Sequence, residues 1–183
     1  MKNKAYKYRI YPTAEQKQRL AQTFGCVSVV WNDLLDWRNK EYSLNGNKIN
    51  YSKSFAHLTE LKNQEQFSWL NDVSSVALQQ TLRSQDAAFS NFFAKRAKSS
   101  NQLFRLMITA YRLKDGQLYI AKSTEPLNVR WSRPLEGKHS SIPIAKDCAD
   151  RYFVSFCSEL EIKSLPKVDK TVGIDLGLTD FRW

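Results

Sequence analysis

The sequence predicts an α+β fold in which a region of helices is followed by a region of short strands. Between residue 13 and about residue 99, apolar side chains recur at the spacing of amphipathic helices. Beyond residue 99 they alternate with polar side chains, which is the pattern of strands. One more alternating segment precedes the helices. So many short strands are typical of a small barrel or sandwich.

The N-terminal segment, residues 1–12, is predicted to be a half-buried strand. Its aromatic and aliphatic side chains alternate with Lys7 and Arg9, and Pro12 ends the pattern. Thr13 and Gln16 then fit a capping box at the start of a helix. We expect Gly25 to divide the helical stretch that follows into two helices.

Two more helices are predicted within residues 13–99. A turn at Leu44–Asn47 precedes a short helix, and the strongest helical pattern runs from Ser74 to about Lys98 without glycine or proline. We interpret the aromatic residues of the last helix as core rather than as a stacking surface. Its apolar stripe includes Leu78, Leu82, Phe89, Phe92 and Phe93.

Residues 100–163 are predicted to form several short strands. Asp115-Gly116 is a hairpin turn between the alternating segments on either side of it, and further alternating segments follow at 127–131, 142–144 and 152–156. Residues 164–170, which contain Pro166, are expected to be a linker. Residues 171–183 then begin as a new apolar strand, which needs neighbours on both sides.

Composition and length narrow the class of protein. The 183 residues are 42% apolar and 13% aromatic, enough for a buried core. The sequence has neither an apolar run of membrane-spanning length nor a signal peptide at its start, so we expect a cytoplasmic protein without membrane association. Cys26, Cys148 and Cys157 are widely spaced, and we expect reduced, mostly buried thiols.

The basic residues are clustered. The net charge is +10, and residues 95–138 hold ten basic side chains against three acidic ones. Such clustering favours a polyanionic partner, although a solvated basic surface is the alternative. The candidates for contacts with nucleic acid are Lys4, Lys7, Arg9, Lys95, Arg96, Lys98 and Arg105.

The motif Gly173-Ile174-Asp175-Leu176-Gly177 sets one carboxylate between two glycines in the last apolar strand. A buried aspartate needs a metal, a phosphate or a donor as its partner. Nearly the same string occurs in RNase H-like (RuvC) nucleases and in ATPases of the actin/Hsp70 type. Its late position, and the Leu178-Thr179-Asp180 that follows, favour the nuclease over the ATPase.

Several motifs together resemble the OrfB/TnpB proteins of bacterial insertion sequences, whose members are similar to compact RNA-guided DNA nucleases. The resemblance covers essentially the whole chain. The motifs occur in this order: Lys4-Ala-Tyr-Lys-Tyr-Arg-Ile-Tyr-Pro12, Phe24-Gly-Cys26, Trp31-Asn32, Leu58-Thr-Glu-Leu-Lys62, Trp69-Leu70, Val73-Ser-Ser75, Leu78-Gln-Gln80, Phe89-x-x-Phe-Phe93, Arg133-Pro134-Leu135 and Val172-Gly-Ile-Asp-Leu-Gly177.

The resemblance implies a more detailed fold than the periodicity does. Residues 1–12 and 100–163 would be two parts of a wedge-type β-barrel, and residues 13–99 would be a helical lobe with a helix-turn-helix inserted into it. Residues 171–183 would be the first strand of a RuvC domain. One departure is internal, because the segment between Arg96 and Phe104 is shorter than is usual in the family.

The resemblance also implies that DNA and a guide RNA are the partners. Tyr51, Ser75 and Gln79 match family positions that approach a short DNA motif beside the target. Glutamine suits the edge of adenine and tyrosine suits stacking, while ordinary polar surface residues are the alternative interpretation. The oligomeric state is not predicted.

Asp175 would be one of the three carboxylates that hold two Mg²⁺ ions in the family's nuclease site. The other two carboxylates, and a structural Zn²⁺ site of four cysteines, would belong to residues beyond this sequence. We do not assign Asp180 as a second Mg²⁺ ligand. We therefore expect a truncated transposon-encoded protein that binds nucleic acid without cutting it. A nuclease-dead regulator is the alternative, and an ATPase fragment is a remote one.

Overall fold

A computed structural model describes residues 2–94, 104–107 and 111–161 of the chain. It confirms an α+β fold. The helices are α1 (Ala14–Asn45), α2 (Tyr51–Asn63), a 3-10 helix (Glu65–Asn71) and α3 (Ser75–Phe93). The strands are β1 (Lys2–Ile10), β2 (Phe104–Met107), β3 (Tyr111–Lys114), β4 (Gln117–Ile120), β5 (Val129–Arg130), β6 (Lys138–Lys146) and β7 (Tyr152–Leu160).

Five strands form one antiparallel sheet in the order β2-β6-β7-β1-β5. The first strand therefore pairs with strands that follow the helices, Tyr6 lying opposite Phe156 and Arg9 opposite Arg130. Strands β3 and β4 form the predicted hairpin around Asp115-Gly116 as a separate two-stranded sheet. Within the described residues the larger sheet is open, with β2 and β5 at its edges, so a closed barrel stays a prediction.

Helix α1 is a single helix of 32 residues, and the expected division at Gly25 was wrong. One interior glycine weakens a helix by only about 1 kcal/mol, and tertiary packing of the next turns on the lobe core outweighs this. The predicted capping box is confirmed: the Gln16 amide donates to Thr13 Oγ1 at 3.3 Å, and the Thr13 amide donates to Gln16 Oε1 at 3.1 Å. Gly46, with φ of 65°, ends the helix.

Two apolar cores lie on either side of the turns around Val27. The sheet core is built from the inward residues of the strands together with Leu20 of α1 and Ala77 of α3. The lobe core lies among the helices and comprises Cys26, Val30, Leu34, Leu58, Leu61, Leu70, Val73, Leu78 and Leu82. The predicted burial of Leu78 and Leu82 on α3 is thereby confirmed, and Phe89 is partly buried.

The three cysteines are free thiols, as expected, but their burial differs from the prediction. Cys26 is buried and burial raises the pKa of its thiol, whereas Cys148 is exposed in the turn between β6 and β7 and Cys157 is partly buried. Among the helices that the structure describes, none combines the length and apolar character that crossing a membrane requires.

Candidate nucleic-acid interface

The first candidate surface is a polar face of α3. Ser75 and Gln79 lie four residues apart on this helix, and Arg83 follows at the same interval. Each such step rotates the side chain by only about 40°, so the three residues share one face. Ser75 and Arg83 are exposed and Gln79 is partly buried. We call these residues, with Tyr51 beside them, the α3 polar face.

Tyr51 is brought to this face by the start of α2. The Arg83 guanidinium lies 5.3 Å from the centre of the Tyr51 ring, and the Phe55 ring lies 6.3 Å from it. Asn50 caps α2, its side chain accepting from the Lys53 amide at 3.0 Å. Tyr51 was predicted from the sequence and Arg83 was not, although the four-residue interval between Gln79 and Arg83 could have indicated it.

A buried polar network fixes the position of Tyr51 relative to α3. Arg38 of α1 donates to Ser54 Oγ of α2 at 2.7 Å and forms an ion pair with Asp86 of α3. The Arg38 side chain is only 7% exposed, whereas Asp86 is 29% exposed, so the guanidinium is shielded from water and the ion pair is partly accessible. One guanidinium thus ties the three helices together, and the positions of Tyr51 and Gln79 follow from that arrangement.

The second candidate surface is the outward face of the sheet. Alternation along β1 places Tyr6, Tyr8 and Ile10 in the core and turns Lys7 and Arg9 outward. Across the sheet, Arg9 lies opposite Arg130 on one side and Phe153 on the other. We call Lys7, Arg9, Arg130 and Phe153 the outer sheet face.

Lys4 does not belong to this surface. It lies two residues before Tyr6, so the two side chains lie on the same side of β1. The Lys4 ammonium lies 4.8 Å from the centre of the Tyr6 ring, and the Arg133 guanidinium lies 5.2 Å from the same ring. The three basic residues predicted on β1 are therefore divided between the two sides of the strand. Phe153 and Arg130 were not predicted as site residues, because the alternating pattern identifies the inward residues of their strands and gives no signal for the outward ones.

Aromatic and cationic groups meet on the outer sheet face. The Lys7 ammonium lies 4.2 Å from the centre of the Phe153 ring, and the guanidinium carbons of Arg9 and Arg151 lie 5.5 and 6.0 Å from it. Arg9 also lies 5.2 Å from the ring of Tyr11, which is 46% exposed. Arg151 is partly neutralised, since its Nε lies 2.6 Å from Asp147 Oδ2.

A cavity of about 330 Å³ lies next to the start of α3. It is lined by residues of α1, by Val73 and Ser74, and by the loop after β4. Lys122 of that loop has φ of 62° and donates to the Asn71 carbonyl at 2.7 Å. The cavity thus lies between α1, the segment that precedes Ser75, and the loop after β4.

The remaining predicted site residues lie in β2 or outside the described residues. Asp175, Lys95, Arg96 and Lys98 lie outside the described residues, as do the linker at 164–170 and the strand at 171–183. Arg105 lies in β2 opposite Pro143. Within the described part of the chain, no group of three or more His, Cys, Asp or Glu side chains could hold a metal ion.

Comparison with known proteins finds a matching family model and several similar proteins. Residues 1–47 match a family model described as a helix-turn-helix domain, that of OrfB proteins of the IS605 type. The chain is 42% identical over 186 residues to a candidate RNA-guided DNA endonuclease of Streptomyces pristinaespiralis, a match that covers 96% of this chain and 46% of that protein.

Two further relatives extend this result. The chain is 26% identical over 183 residues to the candidate RNA-guided DNA endonuclease InsQ of Escherichia coli strain K12, covering 95% of this chain and 45% of InsQ. It is 30% identical over 109 residues to the virulence protein VsdF of Salmonella dublin, covering 56% of this chain and 92% of VsdF. The chain therefore spans about half the length of the two endonuclease relatives.

Proposed function

Since the chain belongs to the OrfB/TnpB family of insertion-sequence proteins, we propose that it binds DNA and a guide RNA as part of a transposon-encoded nuclease system. One observation carries the proposal: Ser75, Gln79 and Arg83 share an accessible face of α3, with the Tyr51 ring beside Arg83. The net charge of +10 supports a polyanionic partner.

The α3 polar face is proposed to read a short motif in duplex DNA. A glutamine amide can both donate to and accept from an adenine edge, and an arginine can form two hydrogen bonds to a guanine. Tyr51, which lies beside Arg83 on the same face, would stack on a base or contact the sugar-phosphate backbone. These are the groups that sequence-specific recognition requires, held on a helix that the Arg38 network fixes.

Selection of bound duplexes from a random pool tests this role of Gln79. The chain, with any RNA that copurifies, should enrich a short motif, and Gln79→Ala should lose discrimination at one position by about 5- to 150-fold. Gln18→Ala, an exposed glutamine on α1, is the matched control and should select the unchanged motif. If Gln79→Ala and the parent chain enrich the same motif equally, the proposed reading surface is wrong.

Nuclease chemistry is proposed for the whole protein rather than for these 183 residues. In that proposal Asp175 is one Mg²⁺ ligand in a RuvC domain that begins at residues 171–183, and the sheet belongs to a wedge-type barrel. Two hard cations need several protein oxygens, so the remaining Mg²⁺ ligands and a structural Zn²⁺ site would lie elsewhere in the whole protein.

Residues 1–183 by themselves are therefore expected to bind DNA and leave it intact in the presence of Mg²⁺. Conversion of supercoiled plasmid to nicked or linear forms measures this. Cutting by the purified chain that disappears in Asp175→Asn would show that the active site is complete without further ligands, contrary to the proposal.

A second candidate function is a regulator that binds without cutting. The relative VsdF favours it, since 92% of that protein matches a segment covering 56% of this chain. A segment of this kind thus makes up nearly all of another protein. Site-selective binding by residues 1–183, with repression of a reporter whose promoter contains the selected motif, would support the regulator; binding without repression would exclude it.

A further inference from the structure

Phe153 is an aromatic residue on the side of the sheet where polar residues are expected. Its neighbours along β7, Tyr152 and Val154, are buried in the sheet core, so alternation turns Phe153 away from that core. The ring is partly buried rather than enclosed, and cationic groups of Lys7 and Arg9 lie within 5.5 Å of its centre. The sheet thus presents an aromatic ring with positive charges around it.

The charges around this ring are not balanced by the protein. Arg9 and Arg130 lie directly opposite each other on β1 and β5, and like charges in that position destabilise a sheet. Among the described residues, none of the ion pairs involves Lys7, Arg9 or Arg130. Arg9 Nε is buried there without a hydrogen-bond acceptor. An anionic ligand held by the accessible side of these guanidinium groups would relieve the repulsion.

The ring and the charges together select one class of anion. An aromatic ring offers a stacking surface to any base, and cations beside it hold the phosphates, which is the pattern of proteins that bind single strands. In a duplex the base faces are covered by neighbouring bases, so a single ring on a sheet cannot stack on them without opening the duplex. A strand with unpaired bases fits both features.

We propose that the outer sheet face binds an unpaired strand of nucleic acid, with a base stacked on Phe153 and its phosphates held by Lys7, Arg9 and Arg130. Lys7 leaves the ring face when the base stacks and pairs with a phosphate instead. This inference rests on the proposed function, which makes nucleic acid the partner. It adds a surface separate from the α3 polar face, and a single-stranded rather than a duplex ligand.

Substitutions at Phe153, each measured with two probes, test whether a base stacks on the Phe153 ring. The probes are fluorescein-labelled 12-residue strands, one of thymidine and one of abasic sugars, which carry the same charge. Fluorescence anisotropy should show that Phe153→Leu weakens thymidine-strand binding by about tenfold and leaves abasic-strand binding unchanged. Phe153→Tyr, which keeps an aromatic face, should bind like the parent chain. Equal effects of Phe153→Leu on both probes would overturn the proposal.

Lys7→Gln provides a second measurement that does not depend on a buried position. Lys7 is exposed, so its replacement leaves the core intact. The slope of log affinity against log salt concentration for the thymidine strand should fall by about 0.7, the value for one phosphate contact on a single strand. Lys17→Gln, an exposed lysine on α1, is the control. An unchanged slope in Lys7→Gln would contradict the assigned phosphate contact.

The two proposals fail in different ways. Gln79→Ala should weaken motif discrimination on duplex DNA and leave the thymidine strand bound as before, while Phe153→Leu should do the opposite. A chain that binds duplex DNA and neither single strand overturns this inference and leaves the proposed function standing. A chain that binds no nucleic acid overturns both. Repeating the titration with a 12-residue uridine strand identifies, by the tighter affinity, whether the strand is RNA or DNA.

Discussion

His139 lies on β6 at the margin of the sheet core. Its Nδ1 lies 3.0 Å from Ser158 Oγ, and its ring meets the Phe156 ring edge-on at 5.6 Å. Burial lowers the pKa of His139 below its ordinary value of 6.5. The folded state therefore holds the neutral imidazole more readily than the unfolded chain does.

This environment predicts a loss of stability in mild acid. Because the folded-state pKa is depressed, the stability contribution of neutral His139 is complete above pH 6.5 and is lost as the pH falls through the folded-state pKa. Thermal denaturation between pH 7.5 and 5 should show a falling midpoint, and His139→Gln should reduce that dependence. If His139→Gln and the parent chain have parallel profiles, His139 is not the group responsible.

Replacing Asp86 is predicted to lower the free energy of unfolding more than replacing other carboxylates on the helices. It neutralises Arg38, whose side chain is 7% exposed, while Asp86 itself is 29% exposed. Asp86→Ala leaves a buried guanidinium without its partner and should lower the free energy of unfolding by about 2 to 3 kcal/mol, allowing for partial solvent screening. Urea denaturation measures this value.

Asp36→Ala is the matched control for that experiment. Asp36 pairs with Lys40 on the same helix, and both side chains are more than 60% exposed, at 63% and 67%. Its replacement should change the free energy of unfolding by less than about 0.5 kcal/mol. Similar losses in the two variants would mean that the burial of Arg38 has little energetic effect.

At the residue scale, the sequence predicts which side chains are buried better than it predicts which side chains contact each other. A period of two on β1 is enough to identify Tyr6, Tyr8 and Ile10 as core. The contacts of Arg83 and Phe153 were not predicted because they involve partners that are distant in the sequence. Arg83 meets Tyr51, and Phe153 meets Lys7 and Arg9, only after the fold has formed.

At the scale of the element, α1 shows why a local rule failed. Glycine lowers helix propensity, yet Gly25 lies within 32 continuous helical residues. The preceding turns reach the sheet core through Leu20, and the following turns reach the lobe core through Cys26 and Val30. Packing at both ends therefore stabilises the helix across a residue that does not favour it.

Two glycines, Gly25 within α1 and Gly46 directly after it, should respond in opposite ways to the same substitution. A Cβ at Gly25 or at Gly46 would have no heavy atom within 4 Å, so crowding does not distinguish the sites. Gly25→Ala should stabilise the helix by about 0.5 to 1 kcal/mol. Gly46→Ala should destabilise it by roughly 1 kcal/mol, since its φ of 65° is unfavourable for alanine. Equilibrium denaturation measures both, and changes of the same sign would contradict the argument.

At the scale of the whole molecule, periodicity predicted the order of helices and strands but not the pairing of the strands. Tyr6 and Phe156 lie opposite each other although the whole helical region separates them in sequence. Alternation is a local property and does not select a partner strand. The arrangement of the first strand with the later ones was predicted only through the family resemblance.

The two cores are expected to unfold together because α1 runs through both. Leu20 belongs to the sheet core, Leu34 belongs to the lobe core, and Val27 packs against each of them. A continuous helix transmits the loss of one core to the other. Two reporters can follow them separately: Trp131, whose ring lies 4.9 Å from Tyr8, and Trp37, which stacks on His57 at 4.3 Å.

In single-tryptophan variants, which keep Trp131 or Trp37 and replace the other four of the five tryptophans, the denaturation midpoints measured at Trp131 and at Trp37 should coincide. Ser28→Pro interrupts α1 between the cores at a cost of about 3 kcal/mol and should separate the two midpoints. Ala14→Pro is the control, since proline is tolerated at the first helical position. If the midpoints of Ser28→Pro stay coincident at lower denaturant, the cores are coupled through contacts other than α1. Helix α3 would then be the connection to examine, since it places Ala77 in the sheet core and Leu78 in the lobe core.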